Sequence, residues 1–481
     1  MKQNIIFIVI DSLRADRFFG KDRSCKTPNI DLLIKKGIYF QNTITSSDVT
    51  GVCLGNIFSG MYSFKTGMST RKFNSNTNMI FNILKNNGYE IHGTIPNLTW
   101  FKLLTKNFDV KNYFKCIAED PRKTSALLSK NKINEENNLS TDTETLFFKG
   151  FLDKNLIQDG LFKDLGKMII DKLSSKNMNN PWFYYIHLMD LHQEINVPEM
   201  FDDIKFGKTK YDRVVSAIDF WIGKIIDKID LENTLVVITS DHGDNIPVID
   251  NIPGSIPKIQ SKMRKGKEKM PFLEPIGIKF FIFFRYVAKF FQKRKLKELT
   301  KSQMRTLNTR GGNTLFDELL HVPLLLFGGN VSQPMIIKNM VSGVDILQTL
   351  LSMINVNHID SNLDGRDLSP LFSGNSIKDI PIYIESGDTS DQKKGFLIGI
   401  RTSNYKYLRS RNNSSKNVSL YNILIDPFEK ENISDKNAEL ISELENTLSE
   451  FILQNSQNNE SNISSNDETE IANELKKLGY I

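Results

Sequence analysis

Apolar runs bounded by polar or turn-forming residues recur along the chain, and they alternate in kind. Ile5-Ile6-Phe7-Ile8-Val9-Ile10 is continuous and largely β-branched, the pattern of a strand covered on both faces. Thr27-Pro28-Asn29-Ile30-Asp31 reads as a turn and helix start, and the segment from Asp31 to Lys36 as a helix ended by Gly37. Ile38-Tyr39-Phe40 begins an extended piece. Leu54 to Phe58 is an apolar helical stretch closed by Ser59-Gly60, and Met79 to Asn87 an amphipathic helix closed by Gly88. Pro181 to Leu188 is a second strand by its aromatic content. A helix over 209–230 follows, with Val214, Val215, Ile218, Trp221, Ile222 and Ile225 on one face, and then the buried run Leu235-Val236-Val237-Ile238. The core resumes at His321 to Phe327. Phe396 to Ile400 and Tyr405 to Leu408 are short strands of a later, smaller part.

Such strand–helix alternation predicts an α/β sandwich, with a central mixed but mainly parallel sheet and helices on both faces. The expected division is a main domain over 1–375 with a basic aromatic insertion at 246–310, a small C-terminal α+β subdomain over 376–450, and a polar tail over 451–481. Residues 105–155 turn polar and Asn/Lys-rich, an irregular or helical excursion.

The 481 residues are 40% hydrophobic and 25% charged, enough to build a large core. A formal net charge of +6 suits anionic substrates or membrane surfaces and does not argue for nucleic acid. Cys25, Cys53 and Cys116 have neither the number for a disulfide framework nor the spacing of a zinc site, which points to a reducing cytosol. Lys2 before an apolar run imitates a targeting signal, but the run is short and Asp11 and Arg14 follow it, so a first strand is expected instead. No stretch reaches the roughly 18–20 apolar residues of a membrane span. The nearest approach, 276–291, is broken by Lys279, Arg285 and Lys289. Its phenylalanines and flanking lysines fit an interfacial helix, giving peripheral membrane contact through 271–297. A helix packed on the domain or on an oligomer partner fits them as well. The oligomeric state is not legible.

Two strands end in metal-ligand residues. Ile10 runs into Asp11, and Ile238 into Thr239-Ser240-Asp241-His242-Gly243. Strand-end carboxylates far apart in sequence suggest one metal site at the carboxyl edge of a single sheet. Taken alone, Asp-His-Gly is also a turn whose Asp caps the next helix. Carboxylates with one imidazole suit Mn²⁺ or Zn²⁺; with carbonyl oxygens they suit Mg²⁺ or Ca²⁺. The segment Ser46-Ser47-Asp48-Val49-Thr50 precedes a helix, where the dipole favours negative charge on a hydroxyl nucleophile. A plain N-cap by Ser47, Asp48 or Thr50 fits the local sequence equally.

The chain resembles the sulfatase family of the alkaline phosphatase superfamily. The likeness rests on Val9-Ile10-Asp11-Ser12-Leu13-Arg14-Ala15-Asp16, Thr27-Pro28-Asn29-Ile30-Asp31, Ile57-Phe58-Ser59-Gly60-Met61-Tyr62 ending at Gly67, Thr239 to Gly243, Leu315 to Leu324, Val344-Asp345-Ile346, Asp364-Gly365, and Leu420-Tyr421-Asn422 before Asp426-Pro427. These stand in the family's order over nearly the whole chain.

The resemblance implies a sulfatase-like catalytic domain acting on an anionic ester, carried on a glycan or a lipid head group. Counting back from Gly60 to the family's nucleophile position gives Thr50. Sulfatases proper carry there a Cys or Ser matured to formylglycine inside C/S-x-P-x-R. Thr50-Gly51-Val52-Cys53-Leu54 lacks the Cys or Ser, the Pro and the Arg, and Cys53 is out of register and read as a bystander. Threonine resembles the phosphoryl-handling branches, in which one divalent ion is held by a set that maps onto Asp11, Thr50, Asp241 and His242. Ser12 in place of a second Asp favours the same one-metal arrangement. The metal expected is Mn, Zn, Ca or Mg, with Mn or Zn favoured.

His187-Leu188-Met189-Asp190-Leu191-His192 resembles H-x-x-D-P-H-x-P, which would make His192 a contact to the transferred group or a proton donor to the leaving oxygen. A buried structural role is the alternative for His192 and more so for His187. The family's Lys or His before Leu315 is replaced by Arg310-Gly311-Gly312-Asn313-Thr314, leaving Asn313 and Arg310 as candidate substrate contacts. Arg14 is a third, with an ion pair to Asp16 as its alternative. The resulting expectation is a metal-dependent hydrolase or transferase using Thr50, phosphoryl chemistry favoured. An atypical sulfuric ester hydrolase, or a degenerate glycan- or lipid-binding member, are its rivals.

Overall fold

The computed structural model describes residues 2–21, 23–69, 74, 79–115, 160–175, 177–192, 195–246, 314–357, 362–387 and 396–453. Except for Lys115, these lie in one compact unit formed by residues 1–114, 160–246 and 308–481.

Eight strands form the large sheet: β1 (Asn4–Ile10), β2 (Ile38–Ile44), β3 (Glu90–Pro96), β4 (Val110–Phe114), β5 (Trp182–Leu188), β6 (Thr234–Thr239), β7 (His321–Gly328) and β8 (Met335–Ser342). Their spatial order is β4-β3-β5-β1-β6-β7-β2-β8. All neighbouring pairs are parallel except the two made by β7, which runs antiparallel to both β6 and β2. The expected mixed, mainly parallel sheet is therefore present. β1 lies between β5 and β6, and Ile5 to Ile10 are fully buried, as a strand covered on both faces requires.

Two groups of helices cover the sheet. The helices Pro28–Ile34, Gly166–Ser174 and Lys210–Ile226 pack together, as do Thr50–Ser59, Met79–Asn86 and Asp345–Met353. The helix anticipated at Asp31 starts earlier because Pro28, at its first position, is already fixed near helical φ. Lys210–Ile226 begins at a capping box in which Thr209 and Asp212 satisfy each other's backbone N–H. Gly60 closes Thr50–Ser59 in the left-handed region, with φ of +67°.

A second sheet, antiparallel, has the order β12-β11-β10-β9, from β9 (Ile382–Glu385), β10 (Leu397–Arg401), β11 (Tyr405–Ser410) and β12 (Ser419–Asn422). Leu444 and Leu448 of the helix Ala438–Leu453 close its core with Tyr383, Ile400 and Tyr407. The Glu385 N–H donates to the Ser46 carbonyl at 2.8 Å, tying this sheet to the segment that leads to Thr50. Among the described residues, no helix is long and apolar enough to cross a membrane.

Candidate active site

Strand register brings the chemistry together. Val9 lies opposite His187 in the β1–β5 pair and opposite Thr239 in the β1–β6 pair. Asp11 and Asp241 therefore leave the same edge of the sheet side by side. Antiparallel β7 starts at that edge with His321, opposite Ile44, so β2 also ends there and delivers Thr45 to Val49 and then the helix Thr50–Ser59. This is the crevice beyond the carboxyl ends of the strands where open α/β sheets bind ligands.

Thr50 is the first residue of its helix. Val49 occupies the cap position, with no side-chain capping bond. Neither Ser47 nor Asp48 takes that role; the Asp48 carboxylate accepts the Gly387 N–H at 2.8 Å instead. The Thr50 Oγ1 lies 3.3 Å from Asp11 Oδ2 and 3.2 Å from His242 Nε2. His242 Nδ1 is 2.8 Å from the Gly243 carbonyl, which can only accept, so Nδ1 donates there and Nε2 is the ring atom that faces Thr50.

The two carboxylates are fixed from behind. Asp241 Oδ1 accepts N–H bonds from His242 at 2.8 Å and Ser12 at 3.2 Å, while the Ser12 hydroxyl donates to Asp11 Oδ1. Ser12 has φ of +69°, uncommon outside glycine, and its carbonyl is pinned by the Tyr211 hydroxyl at 2.6 Å.

His187 enters the site, although its sequence setting reads as structural. It is fully buried, with Nε2 3.4 Å from Asp11 Oδ2 and Nδ1 2.7 Å from the Tyr185 oxygen. Phe101 packs on its ring at 4.6 Å. The signal that could have found it is register: His187 faces Val9 from the neighbouring strand, close to Asp11.

The residues fit a divalent cation. Asp11, His187 and Asp241 offer buried ligand atoms within 4.8 Å of one another. Asp241 Oδ2 is buried and accepts no hydrogen bond among the described residues, which is costly for a carboxylate oxygen unless a cation serves it. Burial, reinforced by Asp241 and Asp11, pushes the Tyr185 phenol well above its ordinary value. Burial and the same Asp241 push the Cys53 thiol up as well, which disfavours the reactive thiolate.

The other candidates are placed unequally. His192 is buried in the turn after β5, its N–H donating to the Met189 carbonyl at 3.0 Å. The Arg14 guanidinium is forked onto Asp16 at 2.9 and 2.8 Å and reaches the Asp244 carbonyl at 3.4 Å, so the ion pair offered as its alternative is formed. Arg310, Asn313 and the segment 271–297 lie outside the described residues.

A helix-terminal hydroxyl facing strand-end carboxylates and imidazoles at the edge of a mainly parallel sheet fits the alkaline phosphatase superfamily, and the family comparison places the chain there. Within it the chain belongs to the sulfatase family, whose model matches residues 3–356; a second model, for the N-sulphoglucosamine sulphohydrolase C-terminal region, matches 312–456. Human arylsulfatase K is 28% identical over 145 residues, 29% of this chain and 27% of that protein. The chain spans less than a third of the length of the curated relatives it matches. Among the solved structures that share its fold are the following two. Ps i-CgsB in complex with k-i-k-neocarrahexaose has a TM-score of 0.60 at 18% identity, covering 100% of both chains. The phosphonate monoester hydrolase of Agrobacterium radiobacter has a TM-score of 0.59 at 15% identity, covering 94% of this chain and 96% of its own.

Proposed function

We propose that this chain is a divalent-metal-dependent hydrolase or transferase of sulfate, phosphate or phosphonate esters, with Thr50 as its nucleophile and phosphoryl esters preferred. The observation that carries the reading is the position of Thr50 Oγ1, between Asp11 Oδ2 and His242 Nε2 at an uncapped helix start. Asp11 and Asp241 would hold the ion with the imidazole of His242 and the Thr50 hydroxyl, the set that the family resemblance implies, and His187 stands in the same cluster. Bound there, the ion would act as Lewis acid and lower the pKa of the hydroxyl.

The chain's own groups do the rest. With His242 Nε2 given to the ion, the Thr50 proton has Asp11 Oδ2 in reach as its acceptor. Oγ1 then bonds to the phosphorus or sulfur as the ester oxygen leaves, taking a proton from His192 in this reading. Water or an acceptor alcohol attacks the same atom and releases Thr50. The first-turn N–H groups and helix dipole favour the ester's negative oxygens.

The preference for phosphoryl esters rests on threonine itself, since formylglycine is made only from Cys or Ser. An anionic ester on a glycan or lipid head group is the proposed substrate. Parallel assays of the metal-loaded protein on an aryl sulfate, an aryl phosphodiester and an aryl phosphonate monoester test the reading. Faster turnover of the phosphorus esters is expected. Turnover of the sulfate alone would overturn the preference, and turnover of none would favour a binding role.

A further inference from the structure

A buried, paired cation lies in the small sheet. Lys406, on β11, is fully buried, and its ammonium meets three acceptors: the Leu315 carbonyl at 2.7 Å, Asp317 Oδ1 at 2.5 Å and Glu429 Oε1 at 2.8 Å. One hydrogen bond and two ion pairs thus surround the ammonium. Arg401 stands directly opposite Lys406 on β10, an arrangement that repels unless an anion is shared. Asp317 supplies it, with Oδ2 3.0 Å from the Arg401 guanidinium. Glu429 Oε2 accepts the Asp317 N–H at 2.6 Å, so backbone and side chain of Asp317 are both held.

What this network holds is next to the candidate active site. The short helix Asp317–Leu320 ends in two carbonyls with distant partners. Leu319 O accepts the Gly243 N–H at 2.7 Å, and Leu320 O accepts the Thr45 N–H at 2.8 Å. Gly243 follows His242, whose Nδ1 hydrogen bonds to the Gly243 carbonyl. Thr45 opens the loop that ends at Thr50. One anchored turn therefore fixes both loops that bring His242 Nε2 against Thr50 Oγ1.

We propose that Lys406 is a positioning residue for the active site: by clamping Leu315 and Asp317 it sets the separation of His242 and Thr50 through the carbonyls of Leu319 and Leu320. The effect on turnover rests on the function proposed above, whereas the clamp itself does not. Removing the ammonium alone would strand the buried Glu429 carboxylate, so the test uses Lys406→Met/Glu429→Gln, which removes one charge of each sign and keeps the Arg401–Asp317 pair.

Amide hydrogen exchange is followed across the full chain. The expected result is exchange at Thr45 and Gly243 faster by about tenfold or more, with β1 and β6 amides still protected. On an ester that the wild type turns over, kcat falls while KM is held. Unchanged protection at Thr45 and Gly243, or a loss spread equally over β1 and β6, would overturn the proposal and leave Lys406 as a stabilising residue only. If the double variant does not fold, Glu429→Gln alone removes one of the two anions paired with the ammonium and is expected to show the same selectivity at smaller amplitude. A wild type inert towards every ester and without metal would sink the proposed function, while the exchange result still decides the role of Lys406.

Discussion

The hydroxyl of Thr50 lies 3.2 Å from Nε2 of His242, although 192 residues separate them. One belongs to the helix that follows β2 and the other to the loop that follows β6. Thr45, ahead of the first, and Gly243, after the second, each donate an N–H to a carbonyl of the turn Asp317–Leu320. The pairing is a product of sheet register and of that shared anchor, and it gives Thr50 a surrounding that an ordinary helix-start threonine lacks.

Metal affinity follows from the donor set. Asp241→Asn leaves the shape but halves the negative charge that the Asp11 and Asp241 carboxylates bring to the ligand cluster. Binding of Mn²⁺ or Zn²⁺, measured by calorimetry, is expected to weaken by at least about 10–100-fold. His242→Ala and His187→Ala are each expected to weaken it too. An affinity unchanged by His187→Ala would assign that imidazole to packing against Phe101 and Tyr185 alone.

Gly243 has no room for a side chain, because a Cβ there would overlap the Glu318 carbonyl oxygen. The obstacle is backbone, so it cannot rotate away. Gly243→Ala is expected to cost about 1–3 kcal/mol in denaturant unfolding. Turnover is expected to fall with it, because the displaced loop carries His242. A stable, fully active variant would show that the turn 316–320 yields more than its bonding suggests.

Burial holds the Glu429 carboxyl up at about 7, against the pull of Lys406. Its folded value thus lies above its unfolded value. The stability it contributes is fully present below the unfolded value and is lost as pH rises through about 7. Glu429→Gln stays neutral throughout. The Tm difference between wild type and variant should therefore shift in the variant's favour from about pH 5 to about pH 8. A difference independent of pH would contradict this account of the Glu429 charge.

Cys53 sits one turn after Thr50, with its thiol donating to the Ser47 carbonyl at 3.1 Å and kept protonated by burial. Cys53→Ala is expected to leave turnover within about twofold, and the native thiol to resist alkylation. Loss of activity on mild alkylation would give Cys53 a part in the reaction.

Much of this was legible in the sequence, and for a physical reason. A strand covered on both faces must be apolar along its whole length, so β1, β5 and β6 announce themselves, and the polar residues at their ends stand out. β3 was harder to see, because His92, Gly93 and Thr94 interrupt its apolar pattern while being buried. His187 was hidden for the opposite reason, as one polar residue inside an apolar strand whose neighbour in register is known only once the sheet is built. Lys406 alternates with Tyr405 and Tyr407 and reads as solvent-facing. Its burial depends on Asp317 and Glu429, which local pattern does not bring together. Arg14 shows the limit of motif reading, since the nearby Asp16 takes its fork.

The most direct test of the central claim is turnover by Thr50→Ala, assayed on an aryl phosphodiester and an aryl sulfate with bound metal quantified in the same samples. Loss of at least about 100-fold in kcat/KM, with the fold retained, is the predicted result. Full turnover by Thr50→Ala with the divalent ion still bound would contradict the assignment of Thr50 as nucleophile.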